Sequence, residues 1–284
     1  MLRQSNLLAV FAVLFLTAAP FSVAKAADKN PDRQKVRYDV YAGGIHALQA
    51  NLDIDQSKQG RYSLSLDAKT YGLLGKLAPW EGVFESHGWA GKVNKPELHQ
   101  STAIWRGEKE IKKYKYNKDG SFAGYSVLDD ENDGSLRDVD TELTKGTSDV
   151  LTATLNTMEA IAAGSDCEGE TDIFDGSRRY TLIFRHKENV ELEASRWNVY
   201  KGPAVQCTVE VKPGGGKWHE KPRGWMSIQE QGRERGTMPT VWFAKMVEGE
   251  PAVPVKVRVK TSYGTLFMHM TDYEGGKKKL TLAE

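Results

Sequence analysis

Hydrophobic and polar residues alternate in one segment of the chain after another, and this period of two predicts β-strands with one apolar face. In the clearest case, valines at every second position from Val253 to Val259 alternate with Pro254, Lys256 and Arg258. The same alternation recurs in four further segments, at residues 48–54, 62–68, 180–184 and 205–211. The pattern therefore predicts a mainly β protein.

Short turn signals separate these segments. Asp119-Gly120, Asp133-Gly134 and Asp175-Gly176 are dipeptides typical of tight hairpin turns. Strands joined by tight turns form an antiparallel meander, and a long meander curls because strands twist. We therefore predict a strongly curved antiparallel sheet, or an open or spiral barrel, in a single β-rich domain over residues 27–284.

One segment changes from a period of two to helical spacing. Ser148 and Asp149 are favoured helix N-cap residues, the apolar positions continue to about Ala163, and Gly164 stands where a helix would end. The apolar face of such a helix needs an apolar partner. We therefore predict one main α-helix that packs on the concave face of the sheet and fills part of the core.

Two segments interrupt the strand pattern. Residues 71–80 (YGLLGKLAPW) are apolar, and residues 213–236 are rich in glycine and predict a long loop. Apolar and aromatic side chains on such excursions are typical of recognition surfaces. The candidate ligand or partner contacts are Leu73, Leu74, Leu77, Trp80, Trp218 and Trp225.

The N-terminus carries the features of a secretory signal peptide over residues 1–26. Arg3 precedes an apolar core at residues 7–16, and Ala24-Lys25-Ala26 supplies a small-x-small cleavage site. The apolar core is shorter than the roughly 20 residues that a permanent membrane span requires. We expect cleavage near Ala26, export and no permanent membrane insertion; the alternative is an uncleaved anchor.

Charge and cysteine content indicate which kinds of partner and which cellular compartment to expect. Loss of Arg3 and Lys25 from the 39 basic residues leaves 37 against 38 acidic ones, so strong attraction to nucleic acid is not expected. Cys167 and Cys207 predict a disulfide in an exported protein, the alternative being two unpaired thiols.

Candidate metal and catalytic motifs are weak. Asp129, Glu131, Asp133 and Asp140 imitate the spacing of a calcium loop, but Glu131 and Asp140 depart from the usual ligands, and a solvated acidic turn is the preferred interpretation. The six histidines show no paired zinc-ligand spacing. No Gly-x-Ser-x-Gly motif occurs, and a Ser-His-Asp site assembled from distant residues stays open. We predict no cofactor and no enzymatic activity.

Several short motifs, in a fixed order, resemble a known family. They are residues 38–44 (YDVYAGG), 148–153 (SDVLTA), 174–180 (FDGSRRY), Cys207 within a strand, Val241-Trp242 before Pro254-Val255, and residues 264–268. The chain resembles a family of uncharacterised periplasmic proteins of Gram-negative bacteria, catalogued as a domain of unknown function. The resemblance implies a curled antiparallel sheet with a helix against it, similar to the half-open barrels of lipoprotein carriers and the spiral sheets of envelope-integrity proteins. It supplies no catalytic residues.

These observations support three functional hypotheses. The leading one is a non-enzymatic periplasmic protein of envelope maintenance, which binds a lipid, a lipoprotein or another envelope protein or peptide in the groove of the curled sheet. The second is a protein-interaction or structural module without a small ligand. The third is an unrecognised cell-wall hydrolase. The sequence does not indicate the oligomeric state.

Overall fold

The computed structural model describes residues 32–221, 224–261 and 264–283, and the predicted signal peptide lies outside these ranges. Within them, fifteen strands join one antiparallel sheet, which confirms the mainly β prediction. The strands are β1 Arg33–Ala42, β2 Ile45–Asp55, β3 Arg61–Thr70, β4 Trp80–Trp89, β5 Lys95–Trp105, β6 Glu108–Tyr116, β7 Phe122–Leu128, β8 Asp133–Leu136, β9 Gly169–Phe174, β10 Arg178–Leu192, β11 Gly202–Gly216, β12 Thr240–Ala244, β13 Val253–Thr261, β14 Gly264–Gly275 and β15 Lys278–Thr281. The helices are α1 Gly72–Leu77, α2 Thr141–Thr144, α3 Val150–Ala162 and α4 Trp225–Glu234.

The sheet consists of two meanders joined side by side. One runs in chain order from β1 to β8 and the other from β9 to β14, and β1 pairs with β14 at the junction. The short strand β15 adds to β14. The sheet therefore begins at β8 and ends at β9, and these two strands are its edges.

Aromatic side chains bring the two ends of the sheet together. The Tyr114 hydroxyl on β6 donates a hydrogen bond of 2.9 Å to the carbonyl oxygen of Asp175, which follows β9. The Phe174 ring packs against the rings of Tyr114, Phe122 and Tyr125 at centroid distances of 5.5–6.2 Å. We call these four aromatic residues the clasp. The clasp joins the two ends of the curled sheet by side-chain contacts and not by strand pairing, so the barrel is open.

A glycine beside the clasp explains the turn within the motif FDGSRRY. Gly176 has a φ of +97°, a conformation that favours glycine. A Cβ atom at this position would lie 2.4 Å from the hydroxyl oxygen of Tyr125, which leaves no room for a side chain. The Asp175 carboxylate also accepts hydrogen bonds from the backbone N–H groups of Ser177 and Arg178. The motif therefore forms the turn that meets the other end of the sheet.

Helix α3 lies inside the barrel, as the sequence predicts. Asp149 is its N-cap, and the carboxylate accepts hydrogen bonds from the backbone N–H groups of Leu151 and Thr152 at 2.9 Å. Leu155 and Met158 are completely or almost completely buried, and the helix contacts β4, β9, β10 and β12. The predicted helix on the concave face is thus confirmed; it ends at Ala162, and Gly164, with a φ of +90°, follows its C-cap residue Ala163.

The predicted disulfide is present. Cys167 and Cys207 are bonded to each other, and both are fully buried. The bond connects the segment after α3 to strand β11. It therefore holds the internal helix to the second meander.

The segment at residues 213–236 differs from the predicted loop. Strand β11 continues to Gly216, and α4 occupies Trp225–Glu234. The reason is a long-range contact of Gln229, a fully buried residue of α4. Its side-chain oxygen accepts from the Val211 N–H at 2.6 Å, and its nitrogen donates to the Val211 carbonyl at 2.9 Å. Gln229 thus pairs with β11 at a position that β12, beginning only at Thr240, does not reach.

The raised pKa of Glu250 leads to a prediction of how the stability of the fold depends on pH. Burial, and secondarily Asp32, raise the pKa of Glu250 to about 7, above its ordinary value. Because the folded state holds this proton more tightly than the unfolded chain, stability is expected to fall as pH rises from about 4.5 through 7. The melting temperature measured across this interval should drop less in Glu250→Gln than in the wild type. Equal pH profiles for the two proteins would contradict the assignment.

Candidate functional site

Alternating strand directions place the two predicted recognition segments at the same end of the barrel. The same end of the strands carries the connections β1–β2, β3–β4, β5–β6, β9–β10 and β11–β12. Helix α1 lies in the β3–β4 connection and α4 in the β11–β12 connection. We call this end of the barrel the α1–α4 end. Helix α3 points to the opposite end, where Asn156 and Glu159 hydrogen-bond with Asn94 in the β4–β5 turn.

Helix α3 is too short to cover the whole inner face. Its 13 residues span about 20 Å, whereas β10 and β11, with 15 residues each, run for about 50 Å. Inner-face side chains near α3, such as Ile54, Leu64 and Met270, are fully buried. Many of those nearer the α1–α4 end are only partly buried: Leu66, Ala68, Phe84, Val209, Val211, Val257 and Met268. Val259, on the strand β13 that α4 contacts, is buried. The barrel therefore keeps a partly exposed apolar inner surface at this end.

A cavity of about 490 Å³ lies at the α1–α4 end, beside this surface. Tyr180 and Val211 contribute to it from β10 and β11, on the same face as the buried Leu182. Trp218 and Trp225 also line it. Its volume falls in the range of about 300–1,000 Å³ that is typical of small-molecule sites. The structure thus joins the two predicted tryptophans to the inner face of the barrel.

The two tryptophans differ in how firmly they are held. The Trp218 ring packs edge-on against Tyr180 at 6.4 Å and lies 4.7 Å below the Arg178 guanidinium. Its Nε1 donates to the Gly215 carbonyl at 3.1 Å. Trp225 is the first residue of α4 and keeps 36% of its surface exposed. Trp218 is therefore a fixed wall of the cavity, and Trp225 offers free aromatic surface to a ligand.

The charged groups that line the cavity largely neutralise each other. Arg178 forms a salt bridge with Asp175 at 2.6 Å, and its Nε also donates to the same carboxylate at 2.8 Å. His219 is a further polar group at the lining. A ligand in this cavity would therefore gain mainly from burial of apolar surface.

The predicted leucines form a separate surface. Leu73 and Leu77 on α1 are 66% and 65% exposed, and Leu74 is also exposed. Trp80 lies at the start of β4, where its ring covers Gly82 so closely that a Cβ there would be 2.7 Å from it. None of these four residues lines the cavity with Trp218 and Trp225. The sequence missed Tyr180, Val211 and Met226 as cavity residues, although Tyr180 closes the motif FDGSRRY.

A buried polar network holds the N-terminus of α3 to the sheet. Besides capping its own helix, Asp149 accepts hydrogen bonds from the Ser86 hydroxyl at 2.7 Å and from the Thr152 hydroxyl at 2.5 Å. Because the Thr152 hydroxyl donates to Asp149, the Tyr62 hydroxyl, 2.6 Å away, must donate to Thr152. Because the Ser86 hydroxyl donates to Asp149, His99 Nδ1, 2.8 Å from that hydroxyl, must donate to Ser86. Four elements of the barrel therefore converge on one carboxylate.

This network contains serine, histidine and aspartate, but their arrangement differs from that of a catalytic triad. In a triad the serine donates to histidine, which is held by aspartate. Here His99 donates to Ser86, and Ser86 donates to Asp149. Ser86 is 1% exposed, and burial lowers the pKa of His99 despite the nearby Asp149 carboxylate. The geometry supports a structural role in anchoring α3.

The three aspartates of the calcium-like motif each accept a backbone hydrogen bond within their own turn or helix cap. Asp129 accepts from the backbone N–H of Glu131 at 2.9 Å, and Asp133 accepts from that of Ser135 at the same distance. Asp140 caps α2 through the backbone N–H of Glu142. In the described part of the chain, no three His, Cys, Asp or Glu side chains form a group that could hold a metal ion.

Together, the fold and this site define a class of protein: an open antiparallel barrel with an internal helix and an apolar cavity at one end. The chain belongs to the family described as "Protein of unknown function (DUF3108)", whose model matches residues 37–271. The resemblance to an uncharacterised family is thereby confirmed. No curated protein matches the chain.

One solved structure that the chain is similar to is titled "Crystal Structure of Beta-barrel-like Protein of Domain of Unknown Function DUF1849 from Brucella abortus". The two proteins share 10% sequence identity with a TM-score of 0.49, over 86% of this chain and 98% of the other. At this identity the likeness concerns the fold alone. Across the described residues, no helix is long and apolar enough to cross a membrane.

Proposed function

We propose that the protein is a non-enzymatic binding protein of the bacterial periplasm, which holds an acyl chain at the α1–α4 end of its barrel. The main support is the apolar inner surface that α3 leaves uncovered beside a cavity lined by Trp218 and Trp225. The buried disulfide fits an oxidising compartment. The cargo would be a lipid or the acyl group of a lipoprotein, in keeping with a role in envelope maintenance.

Burial of the chain would supply the affinity. Each methylene group removed from water contributes about 0.8 kcal/mol, so an acyl chain of moderate length gains several kcal/mol before the cost of ordering it. The neutralised Arg178–Asp175 pair adds no net charge at the lining. Binding is therefore expected to be insensitive to salt and to strengthen with acyl-chain length.

Native mass spectrometry tests this proposal on protein purified from periplasm without detergent. The expected spectrum contains an added mass that organic extraction removes. The extracted protein should then bind laurate or monolaurin in a calorimetric titration. A bare chain that also binds neither probe would contradict the proposal and favour an interaction module without a small ligand.

Substitution of Trp225 by alanine is expected to weaken binding of the acyl probe by about 10-fold, because an exposed aromatic contact of this kind contributes about 1.4 kcal/mol. The melting temperature should change little, because Trp225 keeps much of its surface exposed. The measurement is a titration of extracted wild-type and Trp225→Ala protein with the same probe.

Trp105→Ala is the matched control. Trp105 is another exposed tryptophan at the α1–α4 end, on β5, but it does not line the cavity. Its replacement should leave the affinity unchanged. Equal affinities for wild type and Trp225→Ala, or equal losses in the two variants, would remove the cavity from the binding site.

A further inference from the structure

Three neighbouring strand connections at the α1–α4 end form one continuous surface. They are residues 42–45 at the β1–β2 turn, residues 71–79 with α1, and residues 105–107 at the β5–β6 turn. The Tyr71 N–H donates to the Ala47 carbonyl at 2.8 Å, and the Arg106 N–H donates to the Pro79 carbonyl at 3.3 Å. Backbone hydrogen bonds therefore hold the three connections side by side. We call this surface the rim.

The rim exposes apolar side chains that the fold does not use. Helix α1 buries none of its residues, and its Leu73 and Leu77 are 66% and 65% exposed. Ile45, at the neighbouring turn, is 61% exposed. The other large apolar residues that the rim exposes are Tyr71, Leu74 and Trp105. Single exposed apolar residues are common, but a contiguous group of them is typical of an interaction site.

The charges of the rim all have one sign. Its charged residues are Lys76 and Arg106, and both are exposed cations. The whole chain is 27% charged with acidic and basic residues in nearly equal number, yet these three connections contain no carboxylate side chain. Exposed leucines together with tryptophan, lysine and arginine are the composition that the interface of an anionic bilayer favours.

We propose that the rim docks on the surface of an anionic phospholipid bilayer. Leu73, Leu77 and Ile45 would enter the boundary between head groups and acyl chains, while Lys76 and Arg106 would face lipid phosphates. Leucines that protrude from turns enter a fluid bilayer without a complementary groove, which a protein partner would have to supply. The inference goes beyond the proposed function, and it does not require a bound acyl chain.

An acidic turn limits this surface on one side. The next connection at the same end, between β7 and β8, contains residues 129–133 (DDEND), which an anionic bilayer would repel. Leu128 and Leu136 beside this turn are 45% and 66% exposed. They resemble the leucines of α1 in exposure but lie next to carboxylates. Replacement of these two leucines therefore provides a matched control.

Vesicle flotation tests the proposal with protein purified from periplasm. The wild type is expected to float with vesicles of equal parts phosphatidylcholine and phosphatidylglycerol, and to float less with phosphatidylcholine alone. Leu73→Ser/Leu77→Ser should lower the partition coefficient on the mixed vesicles by about 10-fold or more, because it removes two apolar side chains from the contact. Lys76→Glu should weaken binding to the mixed vesicles and leave binding to phosphatidylcholine nearly unchanged.

Leu128→Ser/Leu136→Ser is expected to float as the wild type does. Both double variants should keep a melting temperature close to that of the wild type, because the replaced side chains are exposed. They should also keep the wild-type affinity for monolaurin in solution, because none of these leucines lines the cavity.

Three outcomes would overturn the inference. They are a wild type that floats with neither kind of vesicle, equal losses in the two double variants, and a wild type that sediments as a dimer which Leu73→Ser/Leu77→Ser dissociates. The last result would assign the rim to a second copy of the chain. Titration with monolaurin in solution tests the proposed function separately, so failure of one does not imply failure of the other.

Discussion

Replacement of Asp149 by alanine is expected to destabilise the protein by about 3–5 kcal/mol. The substitution removes the N-cap of α3 and leaves the buried hydroxyls of Ser86 and Thr152 without their acceptor. It also releases the contact through which His99 on β5 is tied to the helix. Urea unfolding followed by circular dichroism at pH 7 measures the loss.

Asp140→Ala provides the matched control for this prediction. Asp140 also caps a helix through a backbone N–H, but it is exposed and begins the four-residue helix α2. Its replacement should cost about 1 kcal/mol or less. Similar losses in Asp149→Ala and Asp140→Ala would show that the buried network adds nothing beyond an ordinary cap.

Removal of the disulfide is expected to destabilise the protein by about 3–4 kcal/mol, the chain-entropy value for a loop of about 40 residues. The double variant Cys167→Ala/Cys207→Ala is preferable to reduction in place, because both sulfur atoms are buried. Loss of the bond frees the segment after α3 from β11. Denaturation of the variant and of the oxidised wild type under the same conditions measures the difference.

Alkylation of the wild type supplies the control for the disulfide. Native and denatured protein should both lack free thiols unless a reductant is added. Unchanged stability of the double variant, or thiols that react in the native oxidised protein, would contradict this role of the bond.

The sequence predicted those features that depend on local pattern. Alternating valines from Val253 to Val259 identified β13, and the valines at the α3-covered end are indeed the most deeply buried. Asp149 and Gly164 marked the limits of α3 because capping depends on residues only a few positions apart. The two cysteines predicted their bond because no other partner exists in the chain.

Features that depend on distant contacts were not predictable in the same way. Helix α4 has a polar sequence, and its position depends on the contact of Gln229 with the Val211 backbone. The cavity combines Tyr180 and Val211, from neighbouring strands, with Trp225 from α4. The leucines of α1 satisfied the same compositional criterion as the tryptophans but do not line this cavity. Composition indicates which segments are apolar, whereas a binding site requires that side chains from different elements come together in space.

Photo-crosslinking tests the central claim most directly, because it locates the ligand on the protein. The extracted wild type would be irradiated with a monoacylglycerol that carries a diazirine on its acyl chain, then digested and analysed by mass spectrometry. The proposal predicts labels on the cavity residues Tyr180, Val211, Trp225 or Met226, and competition by unlabelled monolaurin. Labels confined to α1 or to the outer face of the sheet, or the absence of any competed label, would contradict binding inside the barrel.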